Sequence, residues 1–356
     1  MRVVICGGGV IGASIAYFLS RRGVHSTVIE RCGVGCAASG KSGGFLALDW
    51  CDGSPLEALA RRSFGLHARL AEELHGGWGY RRLTTFSGFV SSSMSQRATT
   101  KSDWLSPCVA LGRRLGSPET TAQVDPGRFT AAMMRAAQAR GAKLNFGEVT
   151  RVVRHRTCER VRGVEVEGEL IEADEVVIAM GPSSQRAKAW MTLPDIYGVK
   201  GHSLLFDTGS AVPPQALFLE YRDEGGVVSM PEVFPRLDGT TYVCAISSDS
   251  PVPLDPGAVG PDPGAIERLQ RICERLSPRL NKRKVMAAQA CFRPLSRDGL
   301  PVIGRVPGVE SVLVATGHSV WGMLNAPATG EAVAELILDG QARNIDLKPF
   351  APGRFR

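Results

Sequence analysis

A glycine-rich turn near the N-terminus constrains the fold of this 356-residue chain more than any other feature. Residues 7–12 read GGGVIG, a G-x-G-x-x-G pattern, directly after the β-branched run at residues 2–6. Residues 13–21 then carry apolar side chains at helical spacing, and a short apolar run at residues 25–30 ends in an acid. This order of strand, turn, helix and strand predicts a βαβ unit of the Rossmann type, which binds a dinucleotide.

Each part of this unit has its own physical role. Gly7 permits the tight turn after the strand, Gly9 lets the backbone approach a pyrophosphate, and Gly12 allows the helix to pack closely on the strand. The start of the helix offers free N–H groups and the positive end of its dipole to phosphates. Glu30 is placed to bind the ribose, and an acid there favours a 2′-hydroxyl over a 2′-phosphate. The expected dinucleotide contacts in this unit are Gly7, Gly9, Val10, Ile11, Gly12 and Glu30.

The charge balance of the chain is basic, with a formal net charge of +7 and an isoelectric point near 9.0. The basic residues are scattered, their longest runs are short, and no aromatic residues interleave with them. We therefore expect no nucleic-acid partner. The excess charge suits an anionic dinucleotide and an anionic substrate instead.

The nine cysteines include no C-x-x-C pair, and no histidine cluster joins the closest two, Cys32 and Cys36. We expect free thiols, no disulfide framework and no metal site, and hence a cytoplasmic location. The apolar stretch at residues 3–19 is short and is interrupted by four glycines. We expect it to be neither a secretory signal nor a membrane span.

Patterns along the chain predict two lobes built from discontinuous segments. Alternating strand and helix patterns occupy both ends of the chain, and residues between them alternate as in an antiparallel sheet. We expect residues 1–80, 125–198 and 290–356 to form the nucleotide-binding domain, and residues 81–124 and 199–289 to form the substrate domain.

The stretch after Glu30 carries the first resemblance to a known family. It reads ER-x₇-SG-x₂-GG, which places Ser39, Gly43 and Gly44 in a small-residue loop. This arrangement resembles the second flavin contact of the D-amino-acid oxidase superfamily, which includes glycine oxidase and sarcosine oxidase.

The likeness continues in the family's order to the end of the chain, although residues 183–285 match only in pattern. The similar segments are D-P-x-x-[FL] at 125–129, an adenine-facing backbone at 148–150, the strand end AxG at 177–182, R-P-x₃-D-G-x-P-x-x-G at 293–304, and G-H-x₃-G-x₃-A-P-A-T-G at 317–330.

The resemblance implies FAD as the cofactor, bound by an α/β Rossmann-type domain that is joined to a discontinuous, mainly antiparallel β substrate domain (α+β). It implies oxidation of the C–N bond of a small amino acid or amine by hydride transfer to flavin N5, with O₂ as the electron acceptor. The further cofactor contacts that it implies are Arg31, Ser39, Gly43, Gly44, Val149, Ala179, Gly181, Cys291, Gly317, Gly322 and Met323.

The resemblance also supplies candidate catalytic residues, each with a structural alternative. Arg293 would hold the substrate's carboxylate, or would pair with a local acid such as Asp298. His318 would act in catalysis or serve as a structural histidine, and His202 lies near where the family's chain re-enters the active site. Cys291 stands where the sarcosine-oxidase branch attaches flavin covalently, but a small buried cysteine would look the same.

Two other functions stay open at this point. An NAD-dependent dehydrogenase would have the same βαβ unit, although it would not need the later segments. A flavin-binding interaction or trafficking protein with weak catalysis would keep the flavin contacts without a substrate site. The amino-acid and glycine oxidases carry tyrosines over the substrate, and only Tyr221 and Tyr242 fall in the antiparallel region here.

Overall fold

The computed structural model describes residues 1–91, 102–155 and 160–355. The helices are α1 (Val10–Ser20), α2 (Ala38–Lys41), α3 (Glu57–Glu73), α4 (Pro126–Gln138), α5 (Ala265–Leu276) and α6 (Gly322–Asp339). The strands are β1 (Val3–Cys6), β2 (Thr27–Glu30), β3 (Phe45–Ala47), β4 (Arg81–Arg82), β5 (Thr84–Val90), β6 (Val109–Gly116), β7 (Thr121–Gln123), β8 (Lys143–Phe146), β9 (Val149–Arg154), β10 (Val161–Val166), β11 (Glu169–Glu172), β12 (Glu175–Ile178), β13 (Ile196–Asp207), β14 (Gln215–Arg222), β15 (Val228–Ser229), β16 (Glu232–Pro235), β17 (Thr240–Ser248), β18 (Val285–Ser296), β19 (Val302–Arg305) and β20 (Val312–Thr316).

The N-terminal βαβ unit lies at the centre of a mostly parallel sheet, in the order β19-β20-β12-β1-β2-β8. β1 pairs in parallel with both β2 and β12, and β19 is antiparallel to β20. All four residues of β1 are buried because both faces of the sheet are covered. Val3 and Ile5 pack with α1 and α6, whereas Val4 and Cys6 pack against the small sheet of β9, β10 and β11.

The second large sheet is mainly antiparallel and follows the path β18-β13-β17-β16-β14-β5-β6, with β15 paired to β14. Its side chains alternate between two faces, as strand geometry requires. Leu204, Leu217, Val233 and Val243 lie on one face and pack in one cluster with Leu269 of α5. The other face therefore points away from α5, toward the βαβ unit, and it forms one wall of the candidate site.

The structure confirms the predicted fold class: a Rossmann-type α/β unit joined to a mainly antiparallel sheet. The division into two domains at the predicted residues stays a prediction. Strands β13 and β18 each continue across a predicted boundary, at residues 198 and 290 respectively. Of the strands expected at residues 80–92, β4 and β5 are present, and residue 92 lies outside the described residues. No helix in the described ranges is long and apolar enough to cross a membrane.

The expectation about the closest cysteine pair was wrong. A disulfide joins Cys32 to Cys36, with their Cα atoms 6.4 Å apart. The loop after β2 folds back in a tight turn, closed by the Cys36 N–H donating to the Gly33 carbonyl at 3.0 Å, so the two side chains meet. Six other described cysteines are free, as expected.

Candidate active site

A long cavity of about 2330 Å³, including its open mouth, lies between the parallel sheet and the free face of the antiparallel sheet. Gly7, Gly9 and Glu30 line it at the βαβ unit, and Tyr242 and Arg293 line it at the antiparallel sheet. The two ends of the cavity differ in the chemical groups that line them. Backbone groups dominate the first end, which we call the nucleotide end, and side chains dominate the second, the substrate end.

The nucleotide end has the geometry that the glycine motif predicts. A Cβ atom on Gly12 would lie 2.0 Å from the carbonyl oxygen of Gly7, so a larger residue would force α1 away from the turn. A Cβ atom on Gly9 would meet only the hydroxyl of Ser39, at 3.1 Å, so the backbone of this residue stays open to the cavity. That hydroxyl accepts the Val10 N–H at 2.9 Å and so satisfies one free donor of the helix start.

Glu30 holds the surrounding loop as well as facing the cavity. Its Oε2 accepts the Gly8 N–H at 2.6 Å, and its Oε1 accepts the Cys32 N–H at 2.9 Å. The carboxylate therefore joins the glycine turn to the disulfide loop. This places an anionic acceptor where the ribose hydroxyls of a bound dinucleotide would lie.

The wall beyond Glu30 is fixed by a pair of arginines that share one acid. Arg31 and Arg186 both bind Glu148, at 3.4 Å and 2.5 Å respectively. Val149 follows this acid and lines the cavity beside it. These two ion pairs hold in place the residues just before β9, at the position where we expect an adenine.

Most of the predicted cofactor contacts line the cavity, and two do not. The contacts on the cavity wall are Gly7, Gly9, Val10, Ile11, Glu30, Arg31, Ser39, Gly43, Gly44, Val149, Ala179, Gly181, Cys291, Gly322 and Met323. Gly12 lies behind the wall, in keeping with its packing role. Gly317 also lies off the wall, because its left-handed backbone (φ +75°) turns the chain so that its Cβ side faces Ile196 and Pro301.

The substrate end is built from alternate residues of neighbouring strands. Phe218 lies opposite Glu232, Glu232 lies opposite Cys244, and Cys244 lies opposite Ser203. Directly opposed residues share one face of a sheet. Phe218, Glu232 and Cys244 line the cavity, together with Tyr242, which precedes Cys244 by two positions on β17.

Arg293 projects from β18 onto the same face and crosses its neighbouring strand. A Cβ atom on Gly201 of β13 would lie 3.1 Å from Nη2 of Arg293, so the guanidinium lies over the bare backbone of this glycine. The alternative partner expected from the sequence, Asp298, is bound by Arg354, at 2.7 Å and 3.0 Å. Within the described ranges, Arg293 forms no hydrogen bond or ion pair.

The two candidate histidines differ in position. His318 lines the cavity, and its Nε2 lies 3.1 Å from the Thr329 hydroxyl. Burial lowers the pKa of His318 to about 3, so the ring is neutral at physiological pH. His202 is not brought to the site: it lies between Gly201 and Ser203 and therefore faces away from the cavity, and it is fully buried.

His202 has a structural role on the other side of the sheet. Its Nδ1 lies 3.2 Å from the Ile246 carbonyl, and its Nε2 accepts the Asp262 N–H at 3.1 Å. The same aspartate binds the Lys200 ammonium and accepts a hydrogen bond from the Ser248 hydroxyl. Together these groups fasten the loop at residues 249–264 to the sheet.

Sequence reasoning missed an aromatic cluster at the substrate end. The side chains of Phe45, Trp50, Phe218, Phe234 and Trp321 line the cavity, and most neighbouring rings have centroids 4.8–5.4 Å apart. It also missed Glu232. Alternation along β14 and β16 was the available signal, but the same pattern is typical of core strands.

Cys291 lines the cavity, and its thiol is in surroundings that disfavour ionisation. Burial raises the pKa of this thiol above its usual value, although the charges of Arg293 and Lys41 act in the opposite direction. The thiolate is the nucleophilic form of cysteine. The geometry thus places Cys291 against the cavity without activating it.

The comparison with known protein families decides which dinucleotide this cavity holds. A family model described as FAD dependent oxidoreductase matches residues 2–336. The chain belongs to this family. FAD is therefore the cofactor and the protein is an enzyme, so the NAD-dependent alternative is wrong.

Individual relatives agree with the family over nearly the whole chain. A protein of Schizosaccharomyces pombe, whose name gives only the class oxidoreductase, is 30% identical over 377 residues, covering 97% of this chain and 96% of the relative. The glycine oxidase of Bacillus licheniformis is 30% identical over 378 residues, covering 99% and 96%. The crystal structure of glycine oxidase from Geobacillus kaustophilus superposes with a TM-score of 0.81 at 25% identity, covering 99% of both chains.

The residues of the nucleotide end fit FAD. Gly7, Gly9 and the start of α1 can hold a pyrophosphate by backbone groups, and Glu30 can hold the ribose. The cavity continues without interruption to the antiparallel sheet, which leaves room for a flavin between the two ends. The resemblance to the D-amino-acid oxidase superfamily is confirmed, while the individual contacts stay predictions.

Proposed function

We propose that this enzyme oxidises the C–N bond of a small α-amino acid, and that Arg293 holds the carboxylate of the substrate. Bound FAD would supply the hydride acceptor, at N5 of the flavin ring. The relatives named as glycine oxidases support an amino acid as the substrate. The observation that carries the proposal is the Arg293 guanidinium, which faces the cavity and forms no ion pair within the described part of the chain.

The chemistry of the guanidinium supports this role. Its planar donors match the two oxygens of a carboxylate, and a bidentate pair fixes the orientation of the bound molecule as well as its position. A substrate held in this way would present its Cα–H in one direction, which is the requirement for hydride transfer. Because Arg354 already binds Asp298, the Arg293 side chain is left available for a ligand.

The walls of the substrate end support a small substrate. The ring of Phe234 packs directly against Gly43, where an added Cβ atom would lie 2.3 Å from it. Tyr242 is buried, and this burial raises the pKa of its phenol well above the usual value. It therefore keeps its proton and can donate a hydrogen bond. Tyr221, the other tyrosine considered from the sequence, does not line the cavity.

The experiment compares three proteins, the wild type, Arg293→Lys and Arg293→Ala, against amino acids and matched amines that lack the carboxylate. We expect the wild type to prefer amino acids. Arg293→Lys should lose about 1.5–3 kcal/mol of charged hydrogen bonding in kcat/KM while FAD stays bound. Arg354→Lys is the control, because this arginine binds Asp298 and lies outside the cavity lining.

Two results would overturn the proposal. One is an Arg293→Ala variant that oxidises amino acids as well as the wild type does. The other is a wild type that prefers uncharged amines. Molecular oxygen as the electron acceptor is part of the same proposal, and comparing oxygen uptake with reduction of an artificial dye separates an oxidase from a dehydrogenase. A cytoplasmic location is also proposed, on the basis of the six free thiols; the Cys32–Cys36 disulfide does not add to that support.

A further inference from the structure

Glu232 is an acid that the proposed carboxylate clamp does not use. It lies on β16 and faces the substrate end of the cavity, with Phe218 opposite on one side and Cys244 opposite on the other. Its Oε2 accepts a hydrogen bond from the Cys244 thiol at 3.5 Å. A thiol is a weak donor, so this contact satisfies little of the capacity of a carboxylate.

The surroundings of Glu232 are apolar and aromatic. Phe218 is its cross-strand neighbour, and Phe234 follows two positions later on the same face of β16. Desolvation by these surroundings raises the pKa of Glu232, and the charge of Arg293 opposes that rise. An ionised carboxylate in such a place has a large free-energy cost unless a cation or several donors face it.

Arg293 does not neutralise Glu232 by direct contact. The guanidinium lies over Gly201, near enough for its charge to act on Glu232, but the two side chains are not within the 4.0 Å of an ion pair. A carboxyl group and a guanidinium thus face one cavity without forming an ion pair. A ligand that carries a carboxylate and an ammonium on neighbouring atoms is complementary to this arrangement, and an α-amino acid zwitterion is such a ligand.

The other ionisable groups around Glu232 are uncharged at neutral pH. Tyr242 and Cys244 face it from β17, and burial raises the pKa of both well above their usual values. Cys291 faces the same space from β18, and burial raises the pKa of its thiol too. Apart from Lys41, whose charge acts on Cys291, Glu232 and Arg293 are therefore the groups in the described part of the chain that set the charge of this wall.

From this geometry we propose that Glu232 binds the ammonium group of the substrate and removes one proton from it before oxidation. One N–H bond of the ammonium breaks, its electron pair stays on nitrogen, and an O–H bond forms on the carboxylate. The substrate then has a neutral amine whose lone pair can assist departure of hydride from Cα, and Glu232 later returns its proton to water. No oxidant is consumed in the proton transfer. The inference rests on the proposed function.

The pH dependence of flavin reduction tests this role. Under anaerobic conditions with saturating amino acid, the wild type should be reduced rapidly at neutral pH. Glu232→Gln should be reduced at least about 100-fold more slowly there, the usual range for loss of a general base. Its rate should rise about tenfold per pH unit toward the pKa of the free amine, because only the neutral amine reacts. Glu220→Gln is the matched control, since Glu220 is exposed on the neighbouring strand β14.

A binding experiment separates this proposal from the proposed function. Propionate has the carboxylate of an amino acid but no amine, and its binding is read from the flavin absorbance. We expect it to bind the wild type and Glu232→Gln alike, and to bind Arg293→Ala poorly. Amino acids that fail to reduce the wild type, together with propionate that fails to bind, would refute the proposed function.

Other results would refute the role of Glu232 alone. One is a Glu232→Gln variant that keeps the rate and the pH profile of the wild type. Another is a Glu232→Gln variant that loses propionate binding to the same extent as activity, since this would show a structural role. Should that variant fail to hold FAD, Glu232→Asp provides the test. It keeps an acid, so it should be slower than the wild type but should retain the shape of its pH profile.

Discussion

Replacement of Gly201 by valine tests whether the position of Arg293, and not only its charge, governs substrate binding. A Cβ atom at this position would lie 3.1 Å from Nη2 and 3.6 Å from Cζ of Arg293. The two methyl groups of valine extend further and would occupy the space of the guanidinium. Valine also favours strands, so β13 should still form. We expect Arg293 to be displaced while the sheet persists.

The size of the effect follows from the clamp. A displaced guanidinium loses a charge-assisted hydrogen bond to the substrate, with a cost of about 1.5–3 kcal/mol. At about 1.4 kcal/mol per factor of ten, kcat/KM should fall roughly 10- to 150-fold. FAD content, measured from the visible spectrum, should not change, because Gly201 belongs to the antiparallel sheet and not to the βαβ unit expected to hold the pyrophosphate.

The assay is a double-mutant cycle in kcat/KM with the best amino-acid substrate. If Gly201→Val acts only by moving Arg293, it should have no further effect once Arg293 is alanine. The double variant Gly201→Val with Arg293→Ala should then match Arg293→Ala alone. Two losses that multiply in the double variant would show that Gly201 acts independently of the arginine. An unchanged kcat/KM in Gly201→Val would show that the orientation of Arg293 is unimportant.

Two further predictions follow from buried groups. Because burial raises the pKa of the Cys291 thiol, we expect FAD to be bound noncovalently, so acid precipitation should give a white pellet and a yellow supernatant; a yellow pellet would contradict this. His67 is buried on α3, with its Nε2 3.0 Å from the Met323 carbonyl. Burial lowers the pKa of His67 to about 4 and that of His318 to about 3, so both rings are neutral when folded and take up protons on unfolding below about pH 6.5. Their contribution to stability is complete above that pH and is lost as the pH falls toward 4. The free energy of unfolding in urea should drop by about 2–3 kcal/mol between pH 7 and pH 5.5, and His67→Gln should reduce this drop by about half; equal stability at the two pH values would contradict the reasoning.

The nucleotide end could be predicted from the sequence because its parts are local. The three motif glycines and Glu30 lie within one βαβ unit, and their geometry follows from turn and helix sterics. The position of His202 shows where such reasoning stops. Adjacent residues of β13 lie on opposite faces of the sheet, so Gly201 lies on the cavity face and His202 lies on the other. The register that decides this is set by pairing with β17 and β18, which no local pattern specifies.

The prediction for the loop after β2 was wrong for a different reason. Spacing alone did not indicate a disulfide between Cys32 and Cys36, because that pairing depends on the tight turn at Gly33. Glu232 was missed because an acid on an alternating strand usually faces solvent. Its place in the cavity is evident only once Phe218 and Cys244 are known to lie opposite it. The register that pairs these strands cannot be read from the local sequence.

The division of the cavity into two kinds of wall has a consequence for how this fold determines function. At the nucleotide end, we expect backbone N–H groups and bare glycines to meet the cofactor, so adding side chains there would damage the cofactor site itself. At the substrate end, alternate side chains of a sheet line the cavity, and the opposite face packs on α5. A residue such as Glu232 can therefore change without disturbing the cluster that packs on α5. We therefore expect charge and shape at this wall, rather than the βαβ unit, to determine which substrate the enzyme accepts.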